Sequence, residues 1–181
     1  MNGSENHDVP DDELVRRSVA GSEEAMSLLY TRYSDRIIRY VFRMTLDRPA
    51  AEDIVHDTFV RFFEGMDRYE PRGQLAAFLF TIARRVMADR LRERARSLPI
   101  ASPAGTAATR SPDEEMEAAE LKERVSGALL QLSDKLREVV VLRIYDGMTY
   151  AEISGITGVG ESTLQSRLLY ALEELRRILR A

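Results

Sequence analysis

The 181-residue chain contains no cysteine, no tryptophan and two histidines. Without cysteine there are no disulfides and no thiolate metal sites. His7 and His56 are too few and too far apart to build an imidazole zinc site, so neither a metal nor another cofactor is expected. Long apolar runs are missing too. A stretch such as Val139 to Leu142 is far short of the roughly 20 residues that span a bilayer. The N-terminus is polar and acidic, which is not the basic-then-apolar order of a signal peptide. These absences predict a cytoplasmic protein with no membrane insertion; no small-molecule substrate is expected either. No segment alternates convincingly between apolar and polar residues, so no strand is expected.

What the chain has is helical periodicity. A helix from an Asp12 N-cap to Gly21 points Leu14, Val15 and Val19 inward, and Ser22 caps a longer one through Ala25, Leu29, Tyr33, Ile37, Tyr40, Val41 and Met44 to about Leu46. Asp47 and Pro49 start a third, with Ile54, Val55, Thr58, Phe59, Phe62 and Phe63 at helical spacing to about Met66. After the loop Pro71-Arg72-Gly73, a fourth is defined by Leu75, Phe78, Leu79, Ile82, Ala83, Val86 and Leu91. From Ser97 to Ser111 the composition turns to Pro, Ser, Ala, Gly and Thr and cannot build a core. Beyond it, Leu121, Val125, Ala128, Leu129 and Leu132 form another apolar stripe. Ser133 or Asp134 then caps a helix with Leu136, Val139, Val140 and Ile144 inward, closed by Gly147. The fold class expected is therefore all-α, with two small helical domains joined by a flexible linker. The parts are a disordered tail over 1–11, a domain over 12–96, the linker over 97–117 and a domain over 118–181.

The last stretch is the most specific. Thr149 and Glu152 have capping-box spacing, Ala151, Ile153 and Ile156 make a short apolar helix, and Gly158-Val159-Gly160 supplies glycines for positive φ. Leu164, Leu168, Ala171, Leu172, Leu175 and Leu179 then line one face of a longer helix. Its outer face carries Thr163, Gln165, Ser166, Arg167 and Tyr170. Short helix, glycine turn and longer helix form the pattern of a helix-turn-helix, whose second helix enters the major groove of DNA. A purely structural αα-hairpin has the same pattern.

The net charge of −4 argues against nucleic acid until it is placed along the chain. Residues 72 to 96 hold seven arginines against Asp89 and Glu93, a local charge of +5 suited to phosphate. Phe80 and Thr81 lie between those arginines and the core, an aromatic beside positive charge as base stacking requires; a solvated basic helix with a core Phe is the alternative. Residues 133 to 181 are balanced at zero, so the helix-turn-helix should hold DNA weakly by itself. Glu52, Asp53, His56 and Asp57 gather on one helix face. A divalent-cation site, a solvated face and a docking face for a partner helix are the three readings of that cluster. A metal-dependent nuclease built on Glu52, Asp53 and Asp57 is the remote enzymatic one.

Taken in order, these features resemble the extracytoplasmic-function (ECF, group 4) sigma factors of the sigma-70 family. Residues 51–59, AEDIVHDTF, look like the family's polymerase-docking helix. Phe78 to Arg84 with Asp89-Arg90-Leu91 look like its helix for the minus-ten element. Leu132 through Arg143, Gly147 through Ile153 and Ser166-Arg167-Leu168 resemble its promoter-reading second domain. The likeness covers about residues 12 to 96, as region 2, and 118 to 179, as region 4. It implies a sigma factor with no catalysis of its own, which gives core RNA polymerase promoter specificity. Glu52, Asp53, His56 and Asp57 would dock polymerase. Phe80, Thr81, Arg84, Arg85, Asp89 and Arg90 would hold the melted minus-ten strand, with Phe80 or a neighbour capturing a base. Ser162, Thr163, Gln165, Ser166, Arg167 and Tyr170 would read the minus-thirty-five duplex. The implied partners are core RNA polymerase, double-stranded and melted promoter DNA, and an anti-sigma factor.

Two departures from the family pattern stand out. Arg85 occupies a position that usually holds Asn in the melting helix. Gln165, Leu169 and Tyr170 stand where the recognition helix usually carries Lys and a following basic pair, with Glu173 further on. Either the target promoter is unusual or the second domain binds weakly. A sigma-like interaction module, which binds an anti-sigma factor or polymerase without reading promoters, is the rival implication. With the chain ending at Ala181 after its last helix, no C-terminal regulatory domain is expected.

Overall fold

The computed structural model describes residues 9–70, 73–97 and 124–180. Among them are eight α-helices and no strand. Of the linker expected over 97–117, only Ser97 is described, as the last residue of a helix; residues 98–117 and most of the tail over 1–11 lie outside the described residues.

The first helical region holds four helices. Helix α1 (Asp11–Val19) starts after Pro10, whose carbonyl accepts from the amides of Glu13 and Leu14. Asp12 is therefore not the cap expected from sequence; it lies inside the first turn. Leu14, Val15 and Ser18 turn inward, whereas Val19 is 50% exposed because it falls off that face. Buried Ser18 donates to the Leu14 carbonyl at 2.8 Å, so its hydroxyl is satisfied. Helix α2 (Glu23–Thr45) is capped by Ser22, which accepts from the Ala25 amide, and ends at Leu46 in the left-handed region. Helix α3 (Arg48–Gly65) is capped by Asp47, carries Pro49 in its first turn and runs into a 3-10 turn over Met66–Arg68. Arg94 and the Ala50 amide hold the Asp47 carboxyl below its ordinary value.

Helix α4 (Leu75–Ser97) corrects the inward face expected for it. Leu75, Leu79, Phe80, Ala83, Val86 and Met87 are buried, while Phe78 and Leu91 are 38% and 52% exposed. The apolar stripe winds slowly around the helix, as 3.6 residues per turn requires, and these two residues lie just outside it. Phe59 and Phe62 are buried, and Phe63 packs partly buried against both.

The second region begins with a helix, α5, whose described residues are 124–131. Helix α6 (Asp134–Val140), after Ser133, continues as one turn of π-helix over Val141–Tyr145. The wider turn lets the Asp146 amide reach back five residues to the Val141 carbonyl at 3.1 Å. The extra residue turns Val141 and Leu142 inward and Ile144 outward, 56% exposed against the expectation. Gly147, with φ 68°, ends the segment.

Helix α7 (Tyr150–Thr157) begins with the complete capping box, the Thr149 hydroxyl accepting from the Glu152 amide and Glu152 accepting from the Thr149 amide. Its Ala151 is exposed rather than inward. Gly158, with φ 72°, makes the turn alone, and Gly160 is not left-handed. Helix α8 (Glu161–Arg180) buries Leu164, Leu168 and Ala171.

The two regions share one continuous apolar core, with α7 packed on α4 and α6 on α2. No described helix is long and apolar enough to cross a membrane.

Candidate nucleic-acid interface

Three faces carry the residues singled out by sequence. On α3, Glu52, Asp53 and His56 are exposed, and Glu52 accepts from Arg48 one turn earlier at 3.0 Å. Asp57 is drawn sideways into an ion pair with Arg90 of α4. The acidic and basic faces, separate in sequence, are thus joined along one edge.

The arginines of α4 are more engaged than their number suggests. Arg90 pairs with Asp57, Arg94 with Asp47 at 2.8 Å, and Arg92 with Asp89 at 3.4 Å, while Asp89 also accepts from Arg61 of α3 at 3.2 Å. Arg84 reaches into the second region, where its Nε donates to Glu138 of α6 at 2.8 Å. Among the described residues Arg85 has no ion-pair partner; it is exposed. Much of the local positive charge is therefore neutralised in the free chain.

Phe80 corrects the stacking role drawn from sequence. It is 0% exposed, its ring 5.2 Å from that of Tyr40 and covered by the Arg36 guanidinium at 5.6 Å, so no base can reach it in this arrangement. Near the surface beside α4, Phe78 is 38% exposed and Tyr69 half-buried, with ring centroids 4.9 Å apart. Together with Arg68, Glu70, Gln74, Ala77 and Thr81 they line an open groove of about 380 Å³. Thr81 is half-buried there, its hydroxyl donating to the Ala77 carbonyl at 2.8 Å. Gly155 of α7 completes the lining. The groove's residues were not gathered by sequence reasoning. The signal available was the pair of aromatics flanking the loop after the third helix.

On α8, Ser162, Thr163, Gln165, Ser166 and Tyr170 are exposed and Arg167 is half-buried. Leu169 and Tyr170 are 67% and 59% exposed, a large apolar display for a solvent-facing helix. This face is open and unobstructed among the described residues, with Ser166 bonded only back to the Ser162 carbonyl at 3.0 Å.

Where the two regions meet, Glu138 also accepts from the Tyr40 hydroxyl at 3.0 Å, and burial with the Glu138 charge pushes that phenol well above its ordinary value. Arg36 lies 3.9 Å from the Asp146 carboxylate and donates to its carbonyl at 3.4 Å, and the Arg43 guanidinium sits 4.2 Å over the Tyr145 ring. Burial raises the Asp146 carboxyl above its ordinary 3.8, opposed by Arg36, Arg43 and Arg39. A carboxyl raised on folding adds stability fully below its unfolded value, and that contribution is lost as pH rises through the folded one. Asp146→Asn removes this dependence. In thermal melts taken from neutral pH down towards 3.8, the native chain should gain stability relative to the variant.

Two helical regions on one core, with a helix-turn-helix whose first helix packs on a basic, aromatic-flanked helix and whose second keeps its outer face exposed, fit a DNA-binding transcription protein. A family model for sigma-70 region 2 matches residues 29–97, and one for sigma-70 region 4 matches residues 122–175. The ECF RNA polymerase sigma factor SigL of Mycobacterium tuberculosis is 34% identical over 168 residues, covering 90% of this chain and 94% of SigL. The ECF RNA polymerase sigma factor BldN of Streptomyces coelicolor is 29% identical over 171 residues, covering 92% of this chain and 65% of BldN. Among solved structures, the sigma factor RpoE of Bartonella quintana, in complex with the anti-sigma factor NepR, matches with a TM-score of 0.70 at 24% identity. That match covers 86% of this chain and 96% of the other and supports the fold.

The chain belongs to the sigma-70 family of RNA polymerase sigma factors, in its ECF group. It is a non-enzymatic subunit for transcription initiation that binds RNA polymerase and promoter DNA, with the helix-turn-helix of region 4 as a DNA-binding element.

Proposed function

We propose that the two regions divide promoter recognition, region 2 over 12–96 docking polymerase and holding melted DNA and region 4 over 118–181 reading duplex. Glu52, Asp53 and His56, exposed on α3, dock a basic or mixed helical surface of core polymerase, and Asp57 joins them once Arg90 turns to DNA. Thr81, Arg84, Arg85, Asp89 and Arg90 line the melted minus-ten strand. Base stacking falls to Phe78 and Tyr69 of the groove, since Phe80 is buried. Ser162, Thr163, Gln165, Ser166, Arg167 and Tyr170 face the minus-thirty-five element, where Gln165 suits an adenine edge.

The observation that carries this reading is the exposed outer face of α8 behind a fully formed capping box and a left-handed Gly158. Each DNA contact is weak, and tethering both to one polymerase raises the effective concentration of the second. The work is then cytoplasmic. An anti-sigma factor is a further proposed partner, supported by the RpoE complex and by the apolar Leu169 and Tyr170.

Run-off transcription with purified core polymerase tests the reading. A chain that binds core but yields no transcript from any matched promoter would favour the interaction-module alternative. Phe78→Ala should lower open-complex formation roughly tenfold, the loss of about one stacked base. An unchanged yield would place base stacking elsewhere.

A further inference from the structure

The contacts between the two regions converge on the nucleic-acid surface of region 2. Glu138 projects from α6 with its side chain 11% exposed, and a single oxygen, Oε1, accepts from both Arg84 Nε and the Tyr40 hydroxyl. Its neighbour Arg137 donates across the same boundary to the Met44 carbonyl at 2.7 Å. Arg36 at Asp146 and Arg43 over Tyr145 extend the seam along α2. At its other side α7 lies on α4, and Gly155 forms part of the wall of the Tyr69–Phe78 groove.

We propose that this seam is an autoinhibitory clasp, in which the Glu138 carboxylate takes the Arg84 guanidinium that a backbone phosphate would otherwise take. The proposal rests on the minus-ten reading given above. A carboxylate and a phosphate oxygen compete for the same donor, because both accept charge-assisted hydrogen bonds from guanidinium. The closure is one-sided. It engages Arg84 through Nε and sets Gly155 into the groove wall, yet it leaves the outer face of α8 exposed. The free chain therefore holds single-stranded DNA less tightly than an unclasped one, while its duplex-facing surface is unaffected. Apparent affinity for the strand falls in proportion to the open fraction.

The test uses the full chain carrying a fluorophore pair, one on each region, and two probes: a minus-ten single-stranded oligonucleotide and a minus-thirty-five duplex. Glu138→Ala should lower transfer efficiency between the regions and tighten single-strand binding roughly five- to tenfold, with duplex binding unchanged. The charge exchange Glu138→Arg with Arg84→Glu should restore the compact state, which guards against a Glu138→Ala chain that merely misfolds. Equal transfer efficiency and equal single-strand affinity in Glu138→Ala and native chains would overturn the clasp. So would a Glu138→Ala chain that opens without binding the strand more tightly. Run-off transcription by the native chain with saturating core polymerase separates the two readings. A transcript with no Glu138 effect refutes the clasp alone, and no transcript refutes the sigma reading beneath it.

Discussion

A chain carrying Arg84→Glu and Arg85→Glu is expected to dock core polymerase normally and to form no detectable open complex. Both side chains leave the same stretch of α4; Arg85 is exposed and Arg84 is bound only through Glu138. Each reversal replaces attraction for a phosphate by repulsion, and of the residues assigned to the strand only Arg90, paired with Asp57 in the free chain, is a further cation. A loss of roughly a hundredfold or more in strand capture follows. The proposed docking residues Glu52, Asp53 and His56 sit on the exposed face of α3 and, among the described residues, form no ion pair with either arginine, so docking should be spared. Permanganate reactivity of unpaired thymines reads the opening, and fluorescence anisotropy with labelled core reads the docking. Because Arg84→Glu faces Glu138 with a second carboxylate, the variant also opens the clasp. Failure to melt DNA therefore cannot be blamed on closure. Loss of docking instead would mean that the roles of α3 and α4 are exchanged.

Arg137→Ala should have the largest effect on stability. The Arg137 side chain is buried, and its guanidinium donates to four carbonyls: Leu129 at 2.9 Å, Leu130 at 2.9 Å, Leu132 at 3.0 Å and, across the regional boundary, Met44 at 2.7 Å. Three of these close the end of α5 and its turn, and the fourth lies at the end of α2. Positive charge suits such helix C-termini, where carbonyls lack amide partners. Burial opposes the charge, lowering the Arg137 pKa, with only exposed Asp134 at 3.6 Å opposing that shift. Truncation strands several buried carbonyls at once, and a loss of about 3 kcal/mol is expected. Urea unfolding followed by circular dichroism measures it. Arg137→Lys should rescue little, because one ammonium cannot replace a planar fork aimed at four oxygens. A loss under about 1 kcal/mol would show that water satisfies these carbonyls.

Arg137 also marks the limit of what could be read from sequence. Over residues 133–181 it is one of seven basic residues balanced by seven acidic ones, and nothing in the sequence distinguishes it from Arg143 or Arg176. The same holds for Glu138, which reads as a solvated helix charge until Tyr40, 98 positions away, is brought against it. Helix starts fared better. Ser22, Asp47 and Thr149 cap the helices assigned to them because a cap is a local bond between residues three apart. Inward faces lay between these cases. Ile144 was placed inside by an uninterrupted α-helical period, and the π turn moved it out; Phe78 and Phe80 exchanged places at the edge of a slowly winding stripe.

The sequence by itself determined the helical elements, the capping box, a glycine turn at 158–160 and the family, because caps, periodicity and motif order are written in residues near one another. Tertiary structure alone decided which charges are free. An arginine's availability depends on whether a carboxylate from a distant helix lies within about 3 Å, and local spacing carries no record of that distance.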